Sequence, residues 1–236
     1  FVSNWQFNTY NLAMGVAYHE SMVLRNAIEP IPHHKKLRDG KVNLIYHTTP
    51  HRGLEYLVPV FEFLEKHHDN IHLDVYSSFE AYGWPQRDEP YLELFERIKA
   101  NPNMTYHGYQ PNEVVREALQ KAHIFAYPSI WQETSCIAAM EAMSAGCAIV
   151  CPNYAGLPET TAQFGFEYQY TEDAQQHVNV FANAMSTVID MVNNNEQSFQ
   201  ARMAIQKNYA DSFYSWDKRA KEWEGLIRGI LRNKEA

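Results

Sequence analysis

Cysteine is scarce in this sequence, with only Cys136, Cys147 and Cys151 among 236 residues. So few thiols, odd in number, argue against a disulfide framework and predict a reducing, cytoplasmic location. Basic residues are also in deficit, because 20 Lys and Arg face 28 Asp and Glu, for a formal net charge of -8. A chain of this charge is poorly suited to phosphate backbones, and we expect no nucleic-acid partner.

Long apolar runs are scarce as well, and the first residues show no signal-peptide pattern. No run approaches the roughly 20 residues that a membrane-spanning helix needs, so nothing in this sequence supports a membrane contact. The first ten residues, FVSNWQFNTY, lack the basic-then-apolar pattern of a signal peptide. They also lack an initiator Met, and we therefore expect the chain to be part of a longer protein. The 45% hydrophobic content is ample for one large core.

Two familiar nucleotide-binding motifs are absent. The sequence has no GxGxxG after its first predicted strand and no GxxxxGK[ST], which removes the main support for dinucleotide and P-loop binding. The pairs His33-His34 and His67-His68 have no matching cysteine or carboxylate arrangement, so we predict no metal site.

From about residue 40 onward, short apolar runs alternate with amphipathic stretches. Val42–Thr48 and Ile71–Ser77 predict strands, whereas Gly53–Lys66 carries apolar residues at helical spacing. The same reading predicts strands at 104–109, 123–129, 147–152 and 166–170, and helices at 91–100, 111–122, within 131–147 and at 156–165. We therefore predict an α/β fold with a doubly wound, mostly parallel sheet of about six strands.

The two ends of the chain follow other patterns. Residues 1–30 are interpreted as a remnant or linker attached to the main domain, with the FVS stretch as the end of a strand. After Tyr170 the pattern becomes helical, with helices predicted at Ala174–Val192, Gln197–Tyr209 and Trp216–Leu231. The apolar residues of the last helix are expected to form an exposed patch or a self-association contact.

Ligands of open α/β sheets bind beyond the carboxyl ends of the strands, so the loops after the strands should share one rim. The stretch Trp131–Cys147 lies there and carries two acids, Glu133 and Glu141. Thr134 or Ser135 is expected to cap the following helix, whose first amides would face the cleft and attract phosphate. Two carboxylates at such a site suit the vicinal hydroxyls of a sugar or a ribose.

A simpler interpretation stays open for both acids. Glu141 and Ser144 share one helical stripe, so Glu141 would merely face water, and Glu133 would merely assist the helix N-terminus. Against this, the segment MEAMSAGCAIV is small and apolar enough to pack tightly on the sheet, where an unpaired charge is costly.

The segment around these acids resembles a known family. Glu133 and Glu141, with seven residues between them, followed by Ala142-Met143, Gly146 and AGLPE, are similar to the signature of family-four retaining glycosyltransferases. Four further segments resemble that family in the same order: FVSNWQ with RNAIE, HTTPHRGLEYL, HGYQPNEVVREALQKAHIFAYPSIWQE and FYSWDKRAKEWEGLI. The resemblance covers nearly the whole chain and implies the C-terminal, donor-binding domain of a two-domain GT-B enzyme.

The resemblance implies roles for individual residues. Glu133 would contact the hydroxyls of the donor sugar and act in catalysis, while Glu141 would contact the ribose. The amides of Ser135, Cys136 and Ile137 would meet the diphosphate, although many family members have glycines in this turn.

A basic pair neutralises the diphosphate in the family. Arg52, before Gly53, matches the second member of the pair, whereas the first position falls on His47 instead of arginine. Thr48 and Thr49 would add hydroxyl donors, and Arg52 would supply most of the positive charge. The alternative for Arg52 is a solvated loop cation.

The implied reaction transfers a sugar from a UDP-, GDP- or ADP-sugar with retention of configuration, without a metal or another cofactor. Residues 1–30 would be the remnant of the N-terminal domain and linker, residues 31–212 the nucleotide-sugar-binding Rossmann-like domain, and residues 213–236 the crossing helix. The acceptor, a glycan, a lipid-linked sugar or a protein, would bind the missing N-terminal domain, so we expect this chain alone to be inactive. A non-catalytic scaffold and a nucleotide-sugar epimerase of the same fold are the alternatives.

Overall fold

The computed structural model describes residues 1–34, 36, 40–194 and 196–235. These ranges contain six strands: β1 Val42–Tyr46, β2 Ile71–Val75, β3 Met104–Tyr106, β4 Ile124–Ala126, β5 Ala148–Pro152 and β6 Phe166–Tyr168. They also contain nine α-helices: α1 Asn4–Met14, α2 Leu54–Leu64, α3 Leu92–Ala100, α4 Asn112–Lys121, α5 Ile137–Ser144, α6 Leu157–Thr161, α7 Ala174–Asn194, α8 Glu196–Phe213 and α9 Trp216–Glu235. The predicted alternation of strands and helices is confirmed.

The strands form one sheet in the order β3-β2-β1-β4-β5-β6, and every neighbouring pair is parallel. The chain winds outward from β1 in one direction and then outward from β4 in the other, so the prediction of a doubly wound fold is confirmed. The order reverses between β1 and β4, where Leu44 pairs with Ile124. The carboxyl end of this junction is the switch point at which such sheets bind ligands.

Helices cover both faces of the sheet, which explains why its central strands are almost continuously apolar. β4 and β5 are buried along their whole length, and α2 fills one side with Leu57, Val58 and Phe61. Helix α5 packs against α8, and its small residues permit this close approach. Cys147 is fully buried directly before β5, and Cys151 is fully buried within this strand. The apolar sequence around them predicts this burial.

The prediction of a strand end at FVS is wrong, because this stretch leads directly into helix α1 and Ser3 is its N-cap residue. The Ser3 hydroxyl accepts a hydrogen bond from the Gln6 amide at 3.0 Å, and the Gln6 side chain accepts one from the Val2 amide at 3.0 Å. This is a variant of the capping box, whose Ser-x-x-Gln pattern is present in the sequence. The Glu159 carboxylate then accepts the Asn4 and Trp5 amides at 2.9 Å, which attaches α1 to the main domain.

The closing helices are longer than predicted but lie in the predicted order. In α9 the large apolar side chains remain about half exposed, as expected: Trp216, Trp223, Ile227, Ile230 and Leu231. Residue 236, the predicted end of the last segment, lies outside the described residues. None of the helices in the described part of the chain has the length and apolarity needed to cross a bilayer.

Candidate functional site

A pocket of about 480 Å³ opens at the carboxyl end of the sheet, beside the β1–β4 junction. The loops after β1, β2, β3 and β4 and the first turn of α5 line it. Nine of the ten residues that the sequence singled out contribute to its lining: His47, Thr48, Thr49, Arg52, Glu133, Ser135, Cys136, Ile137 and Glu141. These nine come from two segments that are far apart in the sequence, so the fold is what brings them together.

Glu133 lies at the centre of a polar cluster on the pocket wall. Its carboxylate is 6% exposed, and Oε1 accepts a hydrogen bond of 2.5 Å from the Tyr127 hydroxyl. The same oxygen accepts a hydrogen bond from Nη1 of Arg52, with which it forms an ion pair. Burial raises the pKa of Tyr127 well above its usual value, so the phenol stays protonated and remains a donor.

Arg52 is therefore an oriented, partly buried cation rather than a solvated loop residue. Burial disfavours its charge, but the adjacent Glu133 carboxylate outweighs this effect and raises the pKa of the guanidinium. Its Nε donates to the Thr49 hydroxyl at 3.2 Å, and its Nη2 lies 3.5 Å from the Tyr82 hydroxyl. These contacts orient the planar guanidinium at the pocket wall, where its charge suits an anionic ligand.

Gly53 is the one predicted site residue that does not line the pocket. Its φ is 121°, and a Cβ atom at this position would lie 2.2 Å from the Pro128 carbonyl oxygen. Only glycine fits this backbone conformation and this close approach. Gly53 thus ends the short 3₁₀ turn Pro50–Arg52 and holds it against the loop after β4.

The loop after β1 places unsatisfied polar groups in the pocket. Among the described residues, neither Nε2 of His47 nor Oγ1 of Thr48 has a hydrogen-bond partner, although both atoms are buried. Unpaired buried polar groups are costly, and a ligand that forms hydrogen bonds with them would satisfy them. Burial lowers the pKa of His47 to about 3, so the imidazole is neutral near pH 7. His47 therefore offers a hydrogen bond but no positive charge.

The first turn of α5 differs from the prediction in two ways. Neither Thr134 nor Ser135 caps the helix; Cys136 is the N-cap residue, and no side chain makes the capping hydrogen bond. The Cys136 amide does not face the cleft freely, because it lies 3.4 Å from the hydroxyl oxygen of Thr160. Its thiol is buried, and burial, reinforced by Glu133, raises the pKa of this group.

A second glycine supports the turn that carries Glu133. The Gly156 amide donates to the Glu133 carbonyl oxygen at 2.7 Å. A Cβ atom on Gly156 would lie 2.6 Å from the Thr134 carbonyl oxygen and 2.7 Å from that of Glu133. The loop after β5 therefore packs backbone against backbone on this turn, which fixes its position at the pocket wall.

Glu141 occupies the other end of the pocket lining and is 7% exposed, so the interpretation in which it merely faces water is wrong. Its Oε1 accepts hydrogen bonds from Arg116 Nη1 at 3.0 Å and from Asn112 Nδ2 at 3.2 Å. Both donors lie on α4, which packs beside α5. An acid is unexpected in the apolar sequence around Glu141. The donors on the neighbouring helix α4 compensate it.

Sequence reasoning missed Tyr127, Arg116 and Asn112. Tyr127 follows the apolar run of β4 and reads as one more core residue, although a phenol at the carboxyl end of a strand is a usable signal. Asn112 and Arg116 are four residues apart and therefore share one face of α4, but a polar helix face usually means solvent. In the described part of the chain, no cluster of three His, Cys, Asp or Glu side chains is arranged to hold a metal ion.

The fold is a doubly wound α/β domain. The pocket at its switch point is lined by two acids, Glu133 and Glu141, and by the cation of Arg52. The family model described as "Glycosyl transferases group 1" matches residues 31–203. The chain belongs to this glycosyltransferase family. The curated protein "O-antigen chain mannosyltransferase B" of Escherichia coli is 34% identical to it over 83 residues, which cover 35% of this chain and 21% of that protein.

Solved structures share the fold at low sequence identity. A glycosyltransferase from Rickettsia africae superimposes with a TM-score of 0.79 and 13% identity over 98% of this chain and 63% of its own. An Anabaena protein in complex with UDP-glucose gives a TM-score of 0.72 and 12% identity, with coverages of 97% and 63%. The chain thus spans less than two thirds of the length of these proteins. The neighbours confirm the expected GT-B architecture of the family.

Proposed function

We propose that this chain is the donor-binding domain of a retaining glycosyltransferase that uses a nucleotide-sugar. The observation that carries the proposal is the convergence of Arg52, Glu133 and Glu141 on one pocket at the switch point. A nucleotide-sugar needs a cation for its diphosphate and acceptors for its ribose and sugar hydroxyls, and the pocket provides both. Residues 31–212 form the donor domain in this proposal, residues 1–30 belong to the linker from an N-terminal domain, and residues 213–236 form the crossing helix.

The diphosphate belongs between Arg52 and the loop after β1. Arg52 lines the pocket as a cation, and among the described residues Nε2 of His47 and Oγ1 of Thr48 are buried polar atoms without a hydrogen-bond partner. Ser135 and Ile137 at the start of α5 add the partial positive charge of a helix N-terminus. Stabilisation of the negative charge that develops on the leaving diphosphate is the largest contribution such a site makes to catalysis.

The donor sugar belongs beside Glu133. Because Oε1 of Glu133 is engaged by Tyr127 and Arg52, its orientation is set before a ligand arrives, and Oε2 remains for sugar hydroxyls. The ion pair also links the sugar-binding acid to the phosphate-binding cation. The bond between the anomeric carbon and the phosphate oxygen breaks, the acceptor oxygen bonds to that carbon on the same face, and the acceptor's proton passes to the leaving phosphate, which gives retention. No metal or other cofactor takes part in this scheme.

The rest of the scheme rests on coverage, since this chain spans less than two thirds of the length of these structural neighbours. An acceptor, whether a glycan, a lipid-linked sugar or a protein, would bind mainly to an N-terminal domain, so we propose that this chain binds donor but does not turn it over alone. The three cysteines are free and buried, which is compatible with the cytoplasm, where we propose that the protein acts.

Calorimetric titration with UDP, GDP and ADP tests the donor site. We expect one of the three to bind measurably, with affinity reduced about tenfold or more by Glu141→Ala and by Arg52→Met, since each variant removes a charge-assisted hydrogen bond. The control is Arg97→Met. It breaks an ion pair at the surface between Arg97 on α3 and Glu62 on α2, and it should leave binding unchanged. If none of the nucleotides binds, the donor site is refuted and the non-catalytic scaffold becomes the better explanation.

Retention needs a separate measurement on the whole protein. Proton NMR of the first product formed from the donor that binds reports the anomeric configuration directly. A product with the anomeric configuration of the donor sugar supports the proposal, and an inverted product refutes it.

A further inference from the structure

Arg116 makes contacts that the proposed function does not yet explain. It lies on α4 and is 19% exposed at its side chain, and it donates from Nη1 to Oε1 of Glu141 at 3.0 Å. From Nη2 it donates to the main-chain oxygens of Glu29 at 2.9 Å and Pro30 at 3.3 Å. One guanidinium thus connects the acid at the pocket wall with the segment that leads into the sheet.

The arrangement constrains Glu141 strongly. Its side chain is 9% exposed, and a carboxylate so buried is destabilising unless a cation compensates it. Asn112, one helical turn before Arg116, donates to the same oxygen at 3.2 Å. Because both donors are on Oε1, Oε2 is the oxygen that retains its lone pairs for a ligand in the pocket.

The second terminal nitrogen of the Arg116 guanidinium, Nη2, is also held in place. The carbonyl groups of Glu29 and Pro30 accept from Nη2, so the planar guanidinium cannot turn without losing hydrogen bonds on both sides. A lysine at this position would supply the charge but not the fixed fork of donors. The geometry therefore selects arginine for orientation as well as for charge.

We propose that Arg116 is a positioning residue, which holds Glu141 so that Oε2 accepts hydrogen bonds from the ribose hydroxyls of the nucleotide. Arg116 does not touch the nucleotide in this scheme; it acts through Glu141, with Asn112 as its assistant. The inference rests on the proposed donor site. It adds that recognition of the ribose depends on a residue outside the pocket lining and on the segment at residues 29–30.

The test pairs a variant with a ligand that lacks the groups in question. The whole protein and its Arg116→Met variant are titrated with the nucleoside diphosphate that binds best among UDP, GDP and ADP, and with its 2′,3′-dideoxy form. We expect Arg116→Met to weaken binding of the normal nucleotide by about tenfold to a hundredfold, and of the dideoxy form by less than about threefold. Arg116→Lys should restore part of the affinity for the normal nucleotide.

Arg97→Met is the matched control, because it removes the same side chain from a surface ion pair and should change neither affinity. Equal losses for both ligands in Arg116→Met would mean that Arg116 acts on the fold in general, and the inference would be wrong. An unchanged affinity for the normal nucleotide would also overturn it. Failure of the unmodified protein to bind any of the three nucleotides would refute the donor site itself, and the inference with it, so the two failures are distinguishable.

Discussion

Replacing His47 with glutamine should make the protein less sensitive to mild acid. The imidazole lies at the end of β1 beside the pocket, and burial lowers its pKa from an ordinary 6.5 to about 3. Between these two values the unfolded chain binds a proton at this position and the folded chain does not. The stability contributed by neutral His47 is therefore complete above pH 6.5 and is lost as the pH falls toward about 3.

The size of the effect follows from the same pKa. Each pH unit in that interval costs about 1.4 kcal/mol of unfolding free energy, so at pH 5, about 1.5 units below the unfolded value, the loss is about 2 kcal/mol. His51 and His177 also have pKa values lowered by burial and contribute losses of the same sign. Because both remain in the His47→Gln variant, the difference between variant and parent isolates His47.

Urea unfolding at pH 7.5 and pH 5.0 measures the effect. We expect the drop in unfolding free energy between the two pH values to be about 2 kcal/mol smaller in His47→Gln than in the unmodified protein. The control is His67→Gln, which removes an exposed imidazole and should keep the drop of the parent. If His47→Gln loses as much stability in acid as the parent does, His47 is not held neutral by burial, and the assignment of a neutral imidazole to the pocket is wrong.

Three further outcomes are expected. Gly156→Ala should lower the melting temperature by several degrees and weaken nucleotide binding, because its Cβ would lie 2.6 Å from the Thr134 carbonyl oxygen. A variant with the same melting temperature as the parent would contradict the tight backbone contact. Tyr127→Phe should cost about 1.5–3 kcal/mol of unfolding free energy in a urea titration, since it removes a hydrogen bond to a charged oxygen of Glu133; a cost near zero would mean that this hydrogen bond contributes nothing. The three buried thiols should react with a coloured disulfide reagent only when the protein is unfolded by urea, so fast labelling of the native protein would argue against their burial.

Much of the fold was predictable because its pattern is local. Strand-like runs such as VNLIY and IHLDV alternate with segments whose apolar residues have helical spacing. This alternation alone predicts a parallel sheet with helical crossovers. The ends of the elements were less predictable. Helix α5 begins at Ile137 without a capping side chain, although Thr134 and Ser135 both precede it, and the loop after β5 packs against the turn through the Gly156 amide and the Glu133 carbonyl oxygen. At α1 the Ser-x-x-Gln pattern marks the start of the helix in the sequence itself.

The candidate site was predictable only as a set of chemical groups at one rim. Two acids and an arginine near strand ends are visible in the sequence, and their positions on the sheet follow from the strand order. Their partners are not visible, since Arg52 meets Glu133 across 81 positions and Arg116 meets Glu141 across 25. Which of several neighbouring polar residues makes such a contact depends on how helices and loops pack against one another.

Short-range patterning was therefore enough to establish the α/β class and to place the two acids near one rim of the sheet, because side-chain periodicity follows directly from backbone geometry. Long-range packing decided the state of each group: a neutral His47, an Arg52 already paired with Glu133, and a Glu141 oriented from α4. The physical reason is that burial and charge compensation are properties of the environment that several distant segments create together, and no single stretch of the chain contains that information.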